Sequence, residues 1–498
     1  MSLVIDALRL HAATTPHRVA VDDGNEQLTF AGLLEAAEHL AARLSELAPN
    51  AIGLLADNGA GWVLTDLAAM IAGIPIVPLP LFASKAQLAH AMRIAGIDYV
   101  VTSQQSRVCE ALPAQAHVTL SRFARDLLGI GFPMLQSRSN LPAGCWKVTF
   151  TSGTTAGPKG VCLSLASLEK TADALRDVSG GGAEDRHLCV TPLATLLENV
   201  GGIYAPLLAG ASVCVPPLSA VGLTGSSNLD VQRLVGALRE SRATSAILVP
   251  EMLAGIVAAL KAGDAPPRHL RFLAVGGAAV PARLLEESLA FGLPIYEGYG
   301  LSECASVVTV NRPDDFRAGT VGKPLPHVRI EIARDGEIHV SGSTCISYLD
   351  GAPMKDPLAT GDIGYFDEAG YLHITGRKKN LFITSFGRNV APEWIEHELT
   401  AQSAISQAAV FGEARPFAAA IVVPSAGATH SSITAAIDEV NRHMPDYARI
   451  GAWICAEEPF SSRNSLTTAN GRLRREEIFR TYAAEIEAFY QTREVSNA

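Results

Sequence analysis

Residues 147–164 read KVTFTSGTTAGPKGVCLS. A β-type run enters this stretch and another leaves it. Between them stand four hydroxyl side chains (Thr151, Ser152, Thr154, Thr155), three glycines (Gly153, Gly157, Gly160) and one cation, Lys159. Glycine lets backbone N–H groups come close to a ligand, hydroxyls donate to phosphate oxygens, and lysine adds a point charge. The combination suits a polyphosphate. A solvent-facing loop rich in Ser, Thr and Gly has the same composition. A Walker-type P-loop does not fit, because G-x-x-x-x-G-K-[ST] counted from Gly153 meets Pro158, Lys159 and Gly160 and fails at two of its four specified positions.

Outward from this stretch, helical patterns such as 30–47 and 86–96 alternate with short apolar runs at 51–56, 75–79, 99–102, 245–250 and 271–275. That alternation predicts an α/β fold of layered subdomains with buried, largely parallel strands. After residue 325 the period changes to two around Asp335-Gly336, a hairpin signal, so a strand-rich section follows the α/β core. A basic turn, 376–380, then precedes about 118 residues with their own strands and helices, the right size for a small α+β domain. The expected division is 1–376 and 377–498.

At 498 residues the chain exceeds one ordinary domain and can bury a large core. A net charge of −10 gives no basic field for nucleic acid or an anionic membrane. The eight cysteines stand singly, without zinc-finger spacing, and read as buried free thiols of a reducing compartment. Residues 1–18 lack a signal-peptide pattern, and the longest apolar stretch, 63–82, is broken by Asp66 and three prolines. The expected location is the cytoplasm, with no spanning helix.

Other residues carry chemistry of their own. In YEGYGLSE (296–303), Tyr299 offers a flat face for a purine, Ser302 a hydroxyl for phosphate and Glu303 a hard oxygen ligand for Mg²⁺. A core tyrosine beside a solvated glutamate is the plainer reading. Asp362, in TGD (360–362), can accept both hydroxyls of a ribose or simply cap a turn. Arg377 opens a basic turn that is otherwise a solvated linker.

Together, SGTTAGPKG, YGLSE, TGD, GRKKNLFITSFGRNVAPEWIE (376–396) and NGRLRR (470–475) resemble, in order, the signatures of the adenylate-forming synthetases. That family includes acyl-CoA synthetases, luciferases and peptide-synthetase adenylation domains; fatty acyl-CoA synthetases are nearest in look. The resemblance implies an ATP- and acyl-binding N-terminal domain, 1–376, and a mobile C-terminal domain, 377–498. It implies nucleotide contacts at Thr151, Ser152, Gly153, Thr154, Thr155, Gly277, Tyr299, Gly300, Ser302, Asp362 and Arg377, and magnesium at Thr151 and Glu303. Catalytic roles fall on Lys159, Glu303 and Arg472, a hinge on Lys379, and a position beside the pantetheine tunnel on Gly387.

By the same resemblance the cofactors are ATP, Mg²⁺ and coenzyme A. The reaction is activation of a carboxylic acid, medium- or long-chain by the look of 191–211, followed by transfer to a thiol. A carrier-protein phosphopantetheine as acceptor, or a degenerate nucleotide-binding homologue, are the alternatives. Three positions depart from the family pattern: Thr195 replaces a histidine, Ala156 a glycine, and Arg472 the catalytic lysine. No lysine follows Lys379. Gly201, Gly202 and Ala205 either leave room for an acyl chain or only allow close helix packing.

Overall fold

The computed structural model describes residues 2–111, 119–124, 127–131, 140–151, 159–225, 228–349, 351–385, 388–468 and 471–494. The apolar runs become strands where both faces are covered. Ile52–Leu55, buried at every position, pairs in parallel with Ile76–Pro78 and Tyr99–Thr102. Lys147–Thr151 joins Ile76–Pro78 in parallel, and Lys159–Leu163 returns antiparallel beside it. The hydroxyl-rich stretch therefore connects a hairpin, with Thr151 paired to Lys159. With Ser347–Tyr348 on one edge and Thr119–Ala124 and Leu127–Gly131 on the other, this sheet has eight strands.

A second sheet, of nine strands, has a parallel centre of Val19–Asp22, Ser212–Cys214, Arg186–Leu188, Ser245–Leu248, Phe272–Val275 and Ile295–Tyr299. The expected parallel character holds at the centres of both sheets. The outer strands run antiparallel, because hairpins close the edges. Phe30–Leu47 is a helix over the predicted span, its first turn held by Thr29 Oγ1 accepting the Gly32 N–H at 3.2 Å. It buries the stripe Leu33, Ala37, Leu40 and Leu44.

The hairpin predicted at Asp335-Gly336 joins Arg329–Ile332 to Glu337–Ser341, with Gly336 at φ +82°. Leu358–Phe366 and Leu372–Arg377 complete a four-stranded antiparallel sheet. The smaller unit that follows holds Ile405–Phe411, Ala418–Pro424 and Ile450–Cys455 in one sheet, with helices Pro392–Ala401 and His430–His443. Its final helical pattern is two helices, Arg475–Thr481 and Ala483–Glu494, separated at Tyr482. A large N-terminal α/β unit and a smaller C-terminal one are thus both present. Within 191–211 the expected helix is a π-helix, Glu198–Tyr204, running into α-helix Ala205–Ala209.

Six of the eight cysteines are buried and free, as expected, but Cys109 is half-buried and Cys455 exposed. Among the described residues no helix is long and apolar enough to cross a membrane.

Lys147, at the start of the strand that leads into the hairpin, is fully buried. Its ammonium donates to Asp66 Oδ1 and Tyr204 Oη, each at 2.8 Å, and to Asn199 Oδ1. It also lies 4.7 Å from the centroid of the Trp146 ring. Burial pulls the lysine pKa below its ordinary value, and the Asp66 charge opposes that pull. The cluster ties the strand to helix Ala60–Ala72 and to the π-helix. Removing one partner strands a buried charge, so Asp66→Ala should cost about 3–5 kcal/mol of stability. Chemical denaturation checks this; an unchanged midpoint would contradict it.

Candidate active site

Parallel strands present their loops at their C-terminal ends, where ligands of open α/β sheets bind. Phe272–Val275 leads there to Gly276 and Gly277, and Ile295–Tyr299 leads to Gly300. A Cβ on Gly300 would stand 1.8 Å from the Ser306 carbonyl oxygen, so the turn admits no side chain. Tyr299 Oη donates to Asp362 Oδ2 at 2.7 Å. Asp362 is buried in Leu358–Phe366, and across the ladder its register partner Arg377 places Nε 2.8 Å from Oδ1.

Burial raises the Asp362 pKa above that of an ordinary aspartate, while Arg377, the Tyr299 hydroxyl and Arg472 pull it back. The Tyr299 phenol is pushed up by burial and then by the Asp362 charge. Arg472 belongs to the smaller unit. Thr468 N–H donates to its carbonyl at 2.8 Å, and Gly471 before it sits at φ +74°. Its Nη2 reaches the Gly277 carbonyl at 2.8 Å. Surrounding protein and then the Arg377 charge lower its pKa, with Asp362 acting the other way. Two guanidinium groups that repel each other beside one carboxylate form a place where an added oxyanion is stabilised.

A second convergence lies at Tyr348. Its hydroxyl donates to Glu303 Oε1 at 2.9 Å, and Lys159 Nζ lies 5.3 Å from its ring centroid. Glu303 is carried by the 3₁₀ turn Ser302–Cys304, whose position is fixed by Cys345 N–H donating to the Glu303 carbonyl at 2.6 Å. Burial and then the Glu303 charge raise the Tyr348 pKa. One carboxylate oxygen oriented by a phenol, beside a lysine, fits a hard oxygen-seeking cation such as Mg²⁺ together with an anion. Tyr348 is absent from the motifs read in the sequence. It stands 45 residues from Glu303, and only the pairing of Ser347–Tyr348 with Lys159–Leu163 brings it in.

Between the two units, Lys378 Nζ is held by Asp335 Oδ2 at 2.7 Å and Glu337 Oε2 at 2.6 Å, while its neighbour Lys379 is exposed. Arg475 grips Glu396 with two bonds of 2.5 Å and anchors the Arg472 turn to helix Pro392–Ala401. Arg475 and Glu396 are further residues that sequence reading passed over.

One cavity of 3110 Å³ is lined by Lys159, Gly277, Tyr299, Gly300, Ser302, Glu303, Asp362, Arg377, Lys379 and Arg472. Thr151 is placed by its backbone, opposite Lys159. Ser152, Gly153, Thr154, Thr155, Ala156 and Gly387 lie outside the described residues. Thr195 is exposed on the cavity wall. A Cβ on Gly201 would lie 2.9 Å from Ile247 Cδ1, and one on Gly202 2.3 Å from Glu198 Oε1, so both allow close packing, and Gly201 also borders the cavity.

Two family models match the chain: AMP-binding enzyme over residues 8–347, and AMP-binding enzyme C-terminal domain over residues 379–494. A long-chain-fatty-acid–CoA ligase of Mycobacterium bovis, FadD15, is 34% identical over 251 residues, covering 43% of this chain and 41% of that protein's length. A 2-succinylbenzoate–CoA ligase of Bacillus licheniformis is 28% identical over 429 residues, 81% of this chain and 86% of that one. The solved structure of O-succinylbenzoate coenzyme A synthetase from Bacillus subtilis, in complex with ATP and magnesium ion, shares the fold. Its TM-score is 0.73 at 22% identity, covering 94% of this chain and 98% of that one.

Proposed function

Because the chain belongs to the AMP-binding enzyme family, we propose that it activates a carboxylic acid as its acyl adenylate and passes the acyl group to the thiol of coenzyme A. The carboxylate oxygen bonds to the α-phosphorus of ATP, the bond to the β-phosphate oxygen breaks and pyrophosphate leaves. The thiol then loses its proton, its sulfur bonds to the acyl carbon, and AMP departs with the electrons of the carbon–oxygen bond. The observation that carries this reading is the meeting of Arg377 and Arg472 at the buried Asp362 beside Tyr299.

In this reading Tyr299 packs on adenine and Asp362 accepts the ribose hydroxyls, while Gly277 and Gly300 give backbone room at the nucleotide. Arg377 touches the nucleotide, Lys159 with Thr151, Ser152, Gly153, Thr154 and Thr155 holds the triphosphate, and Ser302 donates to phosphate. Glu303, with Thr151, would hold Mg²⁺, which when bound neutralises the charge of the phosphates. Arg472 bridges carboxylate and α-phosphate. A guanidinium is permanently charged and donates two parallel N–H bonds, so it can stand in for the family's lysine.

The division proposed is 1–376 and 377–498, with Lys379 as the pivot. Lys378 is pinned to the four-stranded sheet by two carboxylates, and rotation falls to the residue after it. Gly387 is assigned to the pantetheine path. For the acid we propose a medium- or long-chain fatty acid. Room for it lies over Ala274, which is partly exposed although it sits in the centre of the nine-stranded sheet. Incubation with ATP, coenzyme A and mixed acids, followed by mass spectrometry, tests the proposal; it expects acyl-CoA and AMP, and ADP as the nucleotide product would overturn it.

Removing Arg472 takes away one preorganised charge, so Arg472→Ala should slow pyrophosphate exchange about 10²–10³ fold. Thioester formation from presynthesised adenylate should fall much less, and unchanged exchange would refute the role. Ribose hydroxyls bind the ionised form of Asp362, whose pKa is raised. AMP affinity should therefore weaken on acidification at a higher pH than the value of about 3.9 for a free aspartate implies, and calorimetry on Asp362→Asn should show that limb gone. Lys379→Pro, which fixes φ near −65°, should affect the two half-reactions unequally; equal loss in a folded variant would sink the pivot.

A further inference from the structure

The cavity extends beyond the nucleotide end. It continues along the face of the nine-stranded sheet beneath the π-helix, where Leu175, Gly201, Ser245 and Ala274 are only partly buried and His187 forms part of the wall. Residues alternate across a strand, and the register pairs His187 with Ser245 and Ile247 with Ala274. These four therefore share one face. Gly276 N–H donates to the Leu248 carbonyl at 3.2 Å, so Leu248 is level with the nucleotide end. Ser245 lies three residues back along that strand, about 10 Å deeper.

We infer that this deeper part is an acyl subsite whose inner end recognises a hydroxyl group carried on the acyl chain; the inference rests on the carboxylate-activating reading above. The Ser245 hydroxyl lies 3.0 Å from His187 Nδ1, and His187 Nε2 lies 3.0 Å from Glu198 Oε1. Glu198 is fully buried, and its Oε2 accepts both the Thr191 N–H, at 3.0 Å, and the Thr191 hydroxyl. A carboxylate has only acceptors, so Nε2 carries the ring proton. In that tautomer Nδ1 accepts from the Ser245 hydroxyl, and the lone pairs of Ser245 Oγ are left for the cavity.

An acceptor at that depth matches a hydroxyl, which can donate, and not a ketone, which cannot. Cys189 brings its sulfur within 4.8 Å of the His187 and Glu198 ligand atoms. Its thiol donates to the Gly202 carbonyl at 3.8 Å, and the imidazole and carboxylate are engaged with each other. The group is therefore a hydrogen-bond relay ending at Ser245.

The full chain is assayed by pyrophosphate exchange with saturated acids from decanoic to hexadecanoic, and with their mid-chain and terminal hydroxy and keto counterparts. At the best-placed position, the hydroxy acid is expected to exceed its parent by about tenfold or more in kcat/KM. Ser245→Ala should bring that ratio near one. Parent acids that match every hydroxy acid, a keto acid that outcompetes the hydroxy acid, or a preference surviving in Ser245→Ala would overturn the subsite. So would activation confined to short or aryl acids. Exchange with no carboxylic acid at all would instead bring down the adenylating reading itself.

Discussion

One buried carboxylate holds the site together. Asp362 sits in the four-stranded sheet, accepts a hydrogen bond from Tyr299 at the end of the nine-stranded sheet, pairs with Arg377 on the neighbouring strand of its own sheet, and feels the charge of Arg472 from the smaller unit. The two sheets and the smaller unit thus share one negative charge. A lone carboxylate there would carry the full penalty of burial, and the Arg377 charge, the Tyr299 hydroxyl and the Arg472 charge act against that penalty.

The eight-stranded sheet carries a second set of contacts, around the hairpin strands Lys147–Thr151 and Lys159–Leu163. Lys147 anchors the first strand of the hairpin through Asp66, Tyr204 and Asn199, and Tyr348 borders the second beside Lys159 and Glu303. The same Lys147 cluster holds the π-helix that roofs the cavity. The hairpin's first strand, helix Ala60–Ala72 and the π-helix therefore share one buried support.

Much of this was legible in advance. The apolar runs at 51–56 and 245–250 are strands, and 30–47 is a helix, because patterning and caps agree there. The hairpin at Asp335-Gly336 announced itself by a turn that only glycine fits at φ +82°. Tyr299, Asp362, Arg377 and Arg472 could be suspected singly, but their meeting depends on pairing across 63 residues between Tyr299 and Asp362, and across 195 between Gly277 and Arg472. Local spacing holds no information about such distances. Tyr348, Arg475 and His187 escape sequence reading for the same reason: each looks like an ordinary core or surface residue until its partner arrives from another element. The small residues at 201 and 202 are ambiguous in sequence: Ile247 and Glu198 pack close to them, and Gly201 borders the cavity as well.

The central claim is that the acid's own oxygen attacks the α-phosphorus at the place where Arg472 and Arg377 meet. An acid labelled with oxygen-18 in its carboxylate follows that bond directly when the full chain is turned over with ATP and coenzyme A. The account predicts one labelled oxygen in the phosphate of AMP for each acyl thioester formed. Label that stays entirely with the acid and its product, or that appears in pyrophosphate or inorganic phosphate, would contradict it.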